Sequence, residues 1–278
     1  MASYGCVVFI GAGPGSADLI TVRGARRLAE AAVVLFDALT DPALRQHAPG
    51  ARWVDVGKRG FADATGQAAI DAMLLHFAAR HACVVRLKGG DPSVFGRLEE
   101  ELDAMAAAGI DCEVVPGVTA ALAAAAQTQR PLTRRGDGRS VSLSTAMTRE
   151  GDLRGSHSAD TEVFYMAGRQ LAALSRRLRQ SGWADDATVS VVSRAGWPDA
   201  LASEHRLTDL AQASLLHAGR PTVVTIGAGA RALRGATATL QTAPQATPGT
   251  AAHPAPLASP ALTLHAEQLP CRAAAGTT

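Results

Sequence analysis

The sequence is poor in several features that define common classes of protein. Aromatic residues make up 4% of 278 positions and the formal net charge is +2, which leaves no basic, aromatic-laced stripe for nucleic acid. The four cysteines are scattered without a CxxC pair or metal-ligand spacing, which predicts a reducing cytoplasm and no metal site. Cys6, Cys83 and Cys112 lie beside apolar, strand-like residues, which predicts buried free thiols. The opening apolar run at 6–10 is far shorter than the roughly 20 residues of a spanning helix and lacks the basic flank of a signal peptide. We therefore expect a cytoplasmic chain with no nucleic-acid or membrane partner.

What the sequence does contain is an α/β pattern, with 47% hydrophobic residues to build a core. Val-rich runs alternate with amphipathic helical stretches, which predicts two α/β lobes, each a mostly parallel or mixed sheet flanked by helices. Pro116-Gly117 divides them into 1–116 and 117–234, with the active site in the cleft between the lobes. Residues 235–278 are Ala/Pro/Thr-rich and predicted to be a disordered tail. The predicted strands are 6–10, 32–36, 52–56, 83–87, 112–115, 140–145, 162–165, 188–193 and 221–226, and the predicted helices are 19–30, 42–47, 67–80, 97–108, 119–127, 170–181 and 208–216.

A glycine-rich loop, Gly11-Ala-Gly-Pro-Gly-Ser16, follows the first predicted strand directly. Such a turn in an α/β domain usually lets a ligand approach the backbone closely. The dinucleotide fingerprint GxGxxG requires glycine or alanine where this chain has Ser16. Pro14 also removes an N–H that would face a pyrophosphate. The loop therefore predicts a ligand site of another kind.

Further motifs follow this loop in a fixed order, and together they carry a resemblance. The ordered series resembles the tetrapyrrole methylase family over roughly residues 5 to 230, in the branch that methylates uroporphyrinogen III. The motifs are Asp18-Leu-Ile-Thr-Val22, Val34-Leu-Phe-Asp-Ala-Leu39, Val56-Gly-Lys-Arg-Gly60, Val85-Arg-Leu-Lys-Gly-Gly-Asp-Pro92, Phe95-Gly-Arg97, Val114-Val-Pro-Gly-Val-Thr-Ala120, Pro131-Leu-Thr133 and Tyr165-Met166.

The resemblance implies a reaction and a set of site residues. It implies C-methylation of uroporphyrinogen III to precorrin-2 by two transfers via precorrin-1, with S-adenosyl-L-methionine as methyl donor, no metal, and a homodimer. Asp37 and Lys58 match positions assigned to acid–base work. Asp37 equally suits accepting a hydrogen bond from pyrrole N–H groups, and the sequence leaves both roles open. The implied cofactor-binding residues are Pro14, Gly89, Gly90, Asp91, Val94, Thr119, Ala120, Met166 and Ala195.

The substrate carries many peripheral carboxylates, so its site is expected to be rich in fixed cations. Arginine suits this task because its planar fork binds a carboxylate through two hydrogen bonds. A Gly- and Pro-containing loop near the lobe junction carries four arginines in a short run. The predicted substrate-binding residues are Arg23, Arg130, Arg134, Arg135 and Arg139.

The chain departs from the family pattern at several positions of the second lobe. Arg134 stands where histidine is usual, Ala146-Met147 where Gly-His is usual, and Ala195 where a glycine contacts the cofactor. These departures motivate two alternatives. In the first, the chain is a diverged methylase that acts on another precorrin-type substrate. In the second, it is a paralogue that binds the cofactor without turnover.

Overall fold

The structure is a computed structural model that describes residues 4–57, 66–146 and 155–233. Lys58, Met147 and the predicted tail lie outside the described residues. The first set of elements is β1 (Cys6–Gly11), α1 (Val22–Ala29), β2 (Val33–Phe36), a 3₁₀ helix (Pro42–His47), β3 (Arg52–Asp55), α2 (Gln67–Ala78), β4 (Cys83–Lys88), α3 (Leu98–Ala107) and β5 (Cys112–Val115). The second set is α4 (Ala120–Gln127), β6 (Val141–Thr145), β7 (Thr161–Tyr165), α5 (Leu171–Gln180), β8 (Thr188–Ser193), β9 (Leu201–Arg206), a 3₁₀ helix (Leu207–Ala213), α6 (Ser214–His217) and β10 (Thr222–Gly227), with short 3₁₀ turns at Ala17–Leu19 and Ala228–Ala230.

The first sheet is parallel throughout, with strand order β3-β2-β4-β1-β5. Its central strands are almost completely buried, which explains their continuous apolar runs. One face packs against α2 and α3 through residues such as Phe9, Leu74 and Met105. The other face packs against α1 and the 3₁₀ helix at Pro42–His47 through Leu28 and Leu44. The sheet is therefore the middle layer of three.

The second sheet is mixed, with strand order β6-β7-β10-β8-β9. β6 and β7 run parallel, whereas β10 is antiparallel to β7 and β8, and β9 is antiparallel to β8. One face packs against α5 around Phe164 and Leu174. The other face receives the alanine-rich α4, whose Ala121 and Ala124 pack with Val163. Both sheets belong to one compact unit, and the lobe boundary at residues 116 and 117 stays a prediction.

The predicted α/β class with parallel and mixed sheets is confirmed, and each predicted strand agrees with its observed counterpart to within one residue at either end. Several details were wrong. β9 was missed, the helix predicted at 208–216 is mostly 3₁₀, and α1 begins later than predicted because the Thr21 side chain caps it by accepting from Gly24 N–H. Of the three cysteines predicted to be buried, Cys6 and Cys83 are only partly buried, and Cys112 is exposed because it opens the edge strand β5. Within the described ranges, every helix is too short or too polar to span a bilayer.

Candidate functional site

A cavity of about 180 Å³ is lined by residues that follow strands of both sheets. The loops after β1 and β4 supply one side, and the loops after β7 and β8 supply another, together with the start of β10. Ligands of open α/β sheets bind at the carboxyl ends of strands, so the cavity lies where a ligand is expected. Its described lining is Pro14, Leu39, Gly89, Gly90, Asp91, Val94, Phe95, Thr119, Ala120, Tyr165, Met166, Arg194, Ala195, Trp197, Pro221, Thr222 and Val223.

All nine residues predicted to bind the cofactor line this one cavity. They come from positions as far apart as Pro14 and Ala195, so the chain has brought together residues that the sequence separates widely. Their shared location is a finding about geometry, and their role in binding stays a prediction. The same cavity contains residues that sequence reasoning missed, namely Leu39, Phe95, Tyr165, Arg194, Trp197, Pro221, Thr222 and Val223.

Glycines bring three backbone segments into contact at the base of the cavity. Gly13 and Gly90 exchange two backbone hydrogen bonds, at 3.2 and 2.7 Å, and both have positive φ angles. Gly117 lies against the same point, because a Cβ placed on it would meet the Gly90 carbonyl oxygen at 2.3 Å and the Gly11 Cα at 2.7 Å. No other residue type fits there without moving backbone.

The Asp91 carboxylate holds this contact in place. Its Oδ1 accepts from the Ser93 N–H and its Oδ2 from the Gly117 N–H, each at 2.8 Å. Asp91 therefore ties the loop after β4 to the segment that leads into α4. This side chain fixes the shape of the cavity as well as lining it.

Aromatic and sulfur-containing side chains form another part of the lining. The Tyr165 hydroxyl lies 2.8 Å from Thr119 Oγ1, and burial raises the pKa of Tyr165. The Phe95 ring packs on Tyr165 with centroids 5.1 Å apart. Phe95 and Met166 have φ angles of +53° and +57°, and both side chains are more than 40% exposed. Left-handed backbone at non-glycine residues is strained, and such strain clusters at ligand sites.

The loop after β8 closes the cavity on the second-sheet side. Arg194 lies over the Trp197 ring at 4.4 Å from its centroid and pairs with Asp199 at 2.8 Å. The Gly196 carbonyl accepts from the Ser16 N–H at 2.8 Å, which joins this loop to the glycine-rich loop after β1. Arg194 and Trp197 lie in a turn without a recognisable motif, so no local sequence signal pointed to them.

Asp37 lies just after β2 and is not among the described lining residues, whereas Leu39, two residues later, lines the cavity. Its Oδ1 accepts from Arg86 Nη2 at 2.6 Å, and its side chain is 32% exposed. Arg86 in turn belongs to a buried group of charges with Lys88 and Glu101. The sequence-predicted Asp37 is therefore held by a partner that its motif did not reveal.

The predicted substrate arginines are scattered. Arg23, in the first turn of α1, is exposed, as are Arg135 and Arg139. Arg130 is bound to Glu204 at 2.5 Å and to the Ala230 carbonyl. Arg134 donates to the Arg231 carbonyl, so both of these side chains hold their loop against the segment after β10. Within the described ranges Arg194 is the arginine that lines the cavity.

The chemistry of the lining suits a ligand that is partly apolar and partly charged. Among the described lining residues, the charged groups are Asp91 and Arg194, set among small, aliphatic and aromatic side chains. Gly89 and Gly90 carry no side chain, so a ligand can approach the backbone closely there. The described residues contain no group of three or more His, Cys, Asp or Glu side chains arranged to hold a metal ion.

Known proteins with similar sequences and structures share one family. Uroporphyrinogen-III C-methyltransferase of Pseudomonas aeruginosa is 42% identical over 195 residues, which cover 69% of this chain and 80% of that protein. The siroheme synthase of Edwardsiella ictaluri is 42% identical over 193 residues, covering 68% of this chain but only 42% of the relative. The crystal structure of uroporphyrin-III C-methyl transferase from Thermus thermophilus complexed with S-adenyl homocysteine matches with a TM-score of 0.69 and 33% identity, over 80% of this chain and 97% of that one.

A cobalt precorrin-4 methyltransferase structure matches with a TM-score of 0.72 and 28% identity, over 82% of this chain and 96% of that one. The family model described as tetrapyrrole (corrin/porphyrin) methylases matches residues 6–211. The chain belongs to the tetrapyrrole methylase family.

Proposed function

We propose that this chain catalyses the S-adenosyl-L-methionine-dependent C-methylation of uroporphyrinogen III to precorrin-2, by two methyl transfers via precorrin-1. The observation that carries the proposal is one cavity lined by residues of the glycine-rich loop and of five further motifs, among them the motif that contains Asp37. The relatives named uroporphyrinogen-III C-methyltransferase support the substrate, and the matching structure with S-adenyl homocysteine supports the methyl donor.

The cavity fits the methyl donor on the chemistry of its residues. The donor joins an adenosyl group to an amino acid, and it supplies an electrophilic methyl group when bound. The backbone at Gly89 and Gly90 and the Asp91 carboxylate would hold its amino-acid part, and Met166 and Ala195 its adenosyl part. Because the methyl group is already activated, the task left to the protein is mainly alignment and exclusion of water.

Asp37 is proposed to act on the tetrapyrrole. Arg86 donates to its Oδ1, and the other carboxylate oxygen, Oδ2, would face the substrate. That oxygen would accept a proton lost from the methylated ring or a hydrogen bond from a pyrrole N–H. Lys58 is proposed as its acid–base partner. Either role requires Asp37 to keep one fixed orientation.

The substrate carboxylates are proposed to meet the arginines of both lobes. Arg23, Arg135 and Arg139 are exposed and able to form bidentate contacts. Arg130 and Arg134 are engaged with their own loop, so they would act by shaping it or by exchanging partners. A homodimer located in the cytoplasm is proposed on the resemblance to the family.

A second candidate is a related methylase with another precorrin-type substrate, or a silent paralogue. The engagement of Arg134 with the Arg231 carbonyl favours it, since the predicted substrate loop is then anchored by a residue that departs from the family pattern. Ala146, another departure, is buried in the core behind β6 and β7. The cavity lining is unaffected by either change.

The test is anaerobic incubation of the purified protein with S-adenosyl-L-methionine and enzymatically generated uroporphyrinogen III, followed by mass spectrometry. Addition of two methyl groups is expected, together with a fall in kcat of about a hundredfold or more in Asp37→Asn, the effect of losing one acid–base group. Asp103→Asn is the control, because it makes the same chemical change at an exposed site on α3. Binding of S-adenosylhomocysteine without methyl transfer to this substrate would overturn the proposal and favour the second candidate.

A further inference from the structure

Arg86, which holds Asp37 in the proposed function, belongs to a group of buried charges whose other members, Lys88 and Glu101, have no part in that function so far. Arg86 and Lys88 lie two residues apart on β4, so their side chains leave the sheet on the same face. Glu101 reaches them from α3, which packs on that face. Arg86, Lys88 and Glu101 are 3%, 2% and 0% exposed. Charges buried to this degree persist only when they are paired.

Glu101 pairs with both cations at once. Its Oε1 accepts from Arg86 Nε at 3.1 Å, and its Oε2 accepts from Lys88 Nζ at 2.6 Å. Gln67 Nε2, at the start of α2, adds a third hydrogen bond to Oε1 at 3.2 Å. The Nη2 atom of the same Arg86 guanidinium donates to Asp37 Oδ1. With Asp37 included, two positive and two negative charges form one connected chain.

The pKa shifts show that these four charged side chains interact strongly. Burial opposes the charge on Arg86, but the attraction of Asp37 and Glu101 outweighs it and raises the pKa of the guanidinium. Burial and the neighbouring charge of Arg86 lower the pKa of Lys88, against the attraction of Glu101. Arg86 therefore depends on both carboxylates to keep its place. Removing either one leaves a buried cation with one carboxylate partner and the Leu87 carbonyl, which accepts from Arg86 Nη1 at 3.2 Å.

The geometry assigns Glu101 as a positioning residue for the reaction: it fixes the guanidinium of Arg86, and Arg86 fixes the carboxylate of Asp37. Lys88 balances the second charge of the group and extends under the loop after β4, where Gly96 lies close to its Cε. Glu101 itself touches neither the cavity nor the exposed face of Asp37. This inference rests on the proposed function, because Asp37 is the residue through which Glu101 acts.

A double-mutant cycle between Glu101→Gln and Asp37→Asn separates positioning from a merely structural role. Glu101→Gln is expected to lower kcat about tenfold or more in the native background and less than about twofold when Asp37 is already asparagine. S-adenosylhomocysteine affinity is expected to stay within about twofold of the native value, because the cavity lining is intact. Equal losses of kcat in both backgrounds would overturn the inference.

Glu99→Gln is the matched control, since it makes the same change two residues away at an exposed position of α3 and is expected to leave kcat unchanged. If Glu101→Gln does not fold, Glu101→Gln/Lys88→Met replaces it, because that pair of changes removes one buried charge of each sign. The paired variant is expected to keep the low kcat. Recovery of native kcat would mean that Glu101 acts by charge balance alone and would overturn the assignment.

A binding measurement keeps the inference separate from the proposed function. In the same double-mutant cycle, the affinity for uroporphyrin III, the oxidised and unreactive form of the substrate, is measured by fluorescence titration. Glu101→Gln is expected to weaken binding several-fold only when Asp37 is present. If the native protein transfers no methyl group, the proposed function fails, and this cycle still decides the inference: the same weakening in both backgrounds, or none in either, would overturn it.

Discussion

Gly117→Ala is the change that most directly tests the packing at the base of the cavity. The added Cβ would lie 2.3 Å from the Gly90 carbonyl oxygen and 2.7 Å from the Gly11 Cα. Both neighbours are backbone, so no side chain can rotate away and the segments must separate. Overpacking of this kind costs about 1–3 kcal/mol. For a domain of this size that is a fall in Tm of about 2–4 °C for each kcal/mol.

The same displacement should reach the ligand site, because Gly90 lines the cavity and the Gly117 N–H donates to Asp91, another lining residue. We expect S-adenosylhomocysteine affinity, measured by calorimetry, to fall about tenfold or more, which corresponds to about 1.4 kcal/mol. Gly50→Ala is the control, since a Cβ there meets nothing within 4 Å and the change is expected to be neutral or slightly stabilising. A Gly117→Ala variant with native Tm and native affinity would refute the reasoning.

Three further predictions concern single side chains. Met166→Gly should relieve the strain of a left-handed backbone conformation and change the free energy of unfolding by less than about 1 kcal/mol. It should nevertheless weaken S-adenosylhomocysteine binding, and a loss of stability without a loss of affinity would contradict this. Asp91→Asn should lower the free energy of unfolding, measured by urea denaturation, by about 1–3 kcal/mol, because the amide has one oxygen for the two N–H groups of Ser93 and Gly117. An unchanged urea midpoint would count against this prediction. Burial, followed by repulsion from His205 and Arg220, lowers the pKa of His217 to about 4 from 6.5. His217 is then protonated at a lower pH in the folded state than in the unfolded state. Stability should therefore fall as the pH drops from 6.5 towards 4, by at most about 1.4 kcal/mol per pH unit, and His217→Gln should lack this contribution.

Strong local patterns explain why much of the fold could be predicted. β1 and β4 are continuous apolar runs, and α2 and α3 lie between clear breaks, so their positions follow from the sequence. β9 was missed because its residues, LASEHR, are mostly polar and half-exposed on an edge strand. An antiparallel edge strand such as β9 needs little apolar surface, so its sequence carries no strong hydrophobic pattern. Its pairing with β8 is visible only in the folded protein.

The candidate site was predictable where it depended on glycine and on motif residues. The glycine-rich loop at 11–16 already indicated close approach of a ligand to the backbone, whereas Gly90 was assigned to the site by the resemblance and Gly117 was predicted only as part of the boundary between lobes. Arg194 and Trp197 were missed because their place in the lining results from how the loop after β8 folds against Ser16. The ion group behind Asp37 was also missed, although the spacing of Arg86 and Lys88 on a strand placed both on one face.

The central claim is that this cavity positions a methyl donor against a tetrapyrrole held by Asp37. The most direct measurement supplies S-adenosyl-L-methionine labelled with carbon-13 in its methyl group, together with uroporphyrinogen III, and follows the label by NMR. The account predicts two labelled methyl groups bonded to ring carbons of the product, with both signals appearing about a hundredfold or more slowly in Asp37→Asn. A native protein that binds the donor and leaves the tetrapyrrole unlabelled would contradict it.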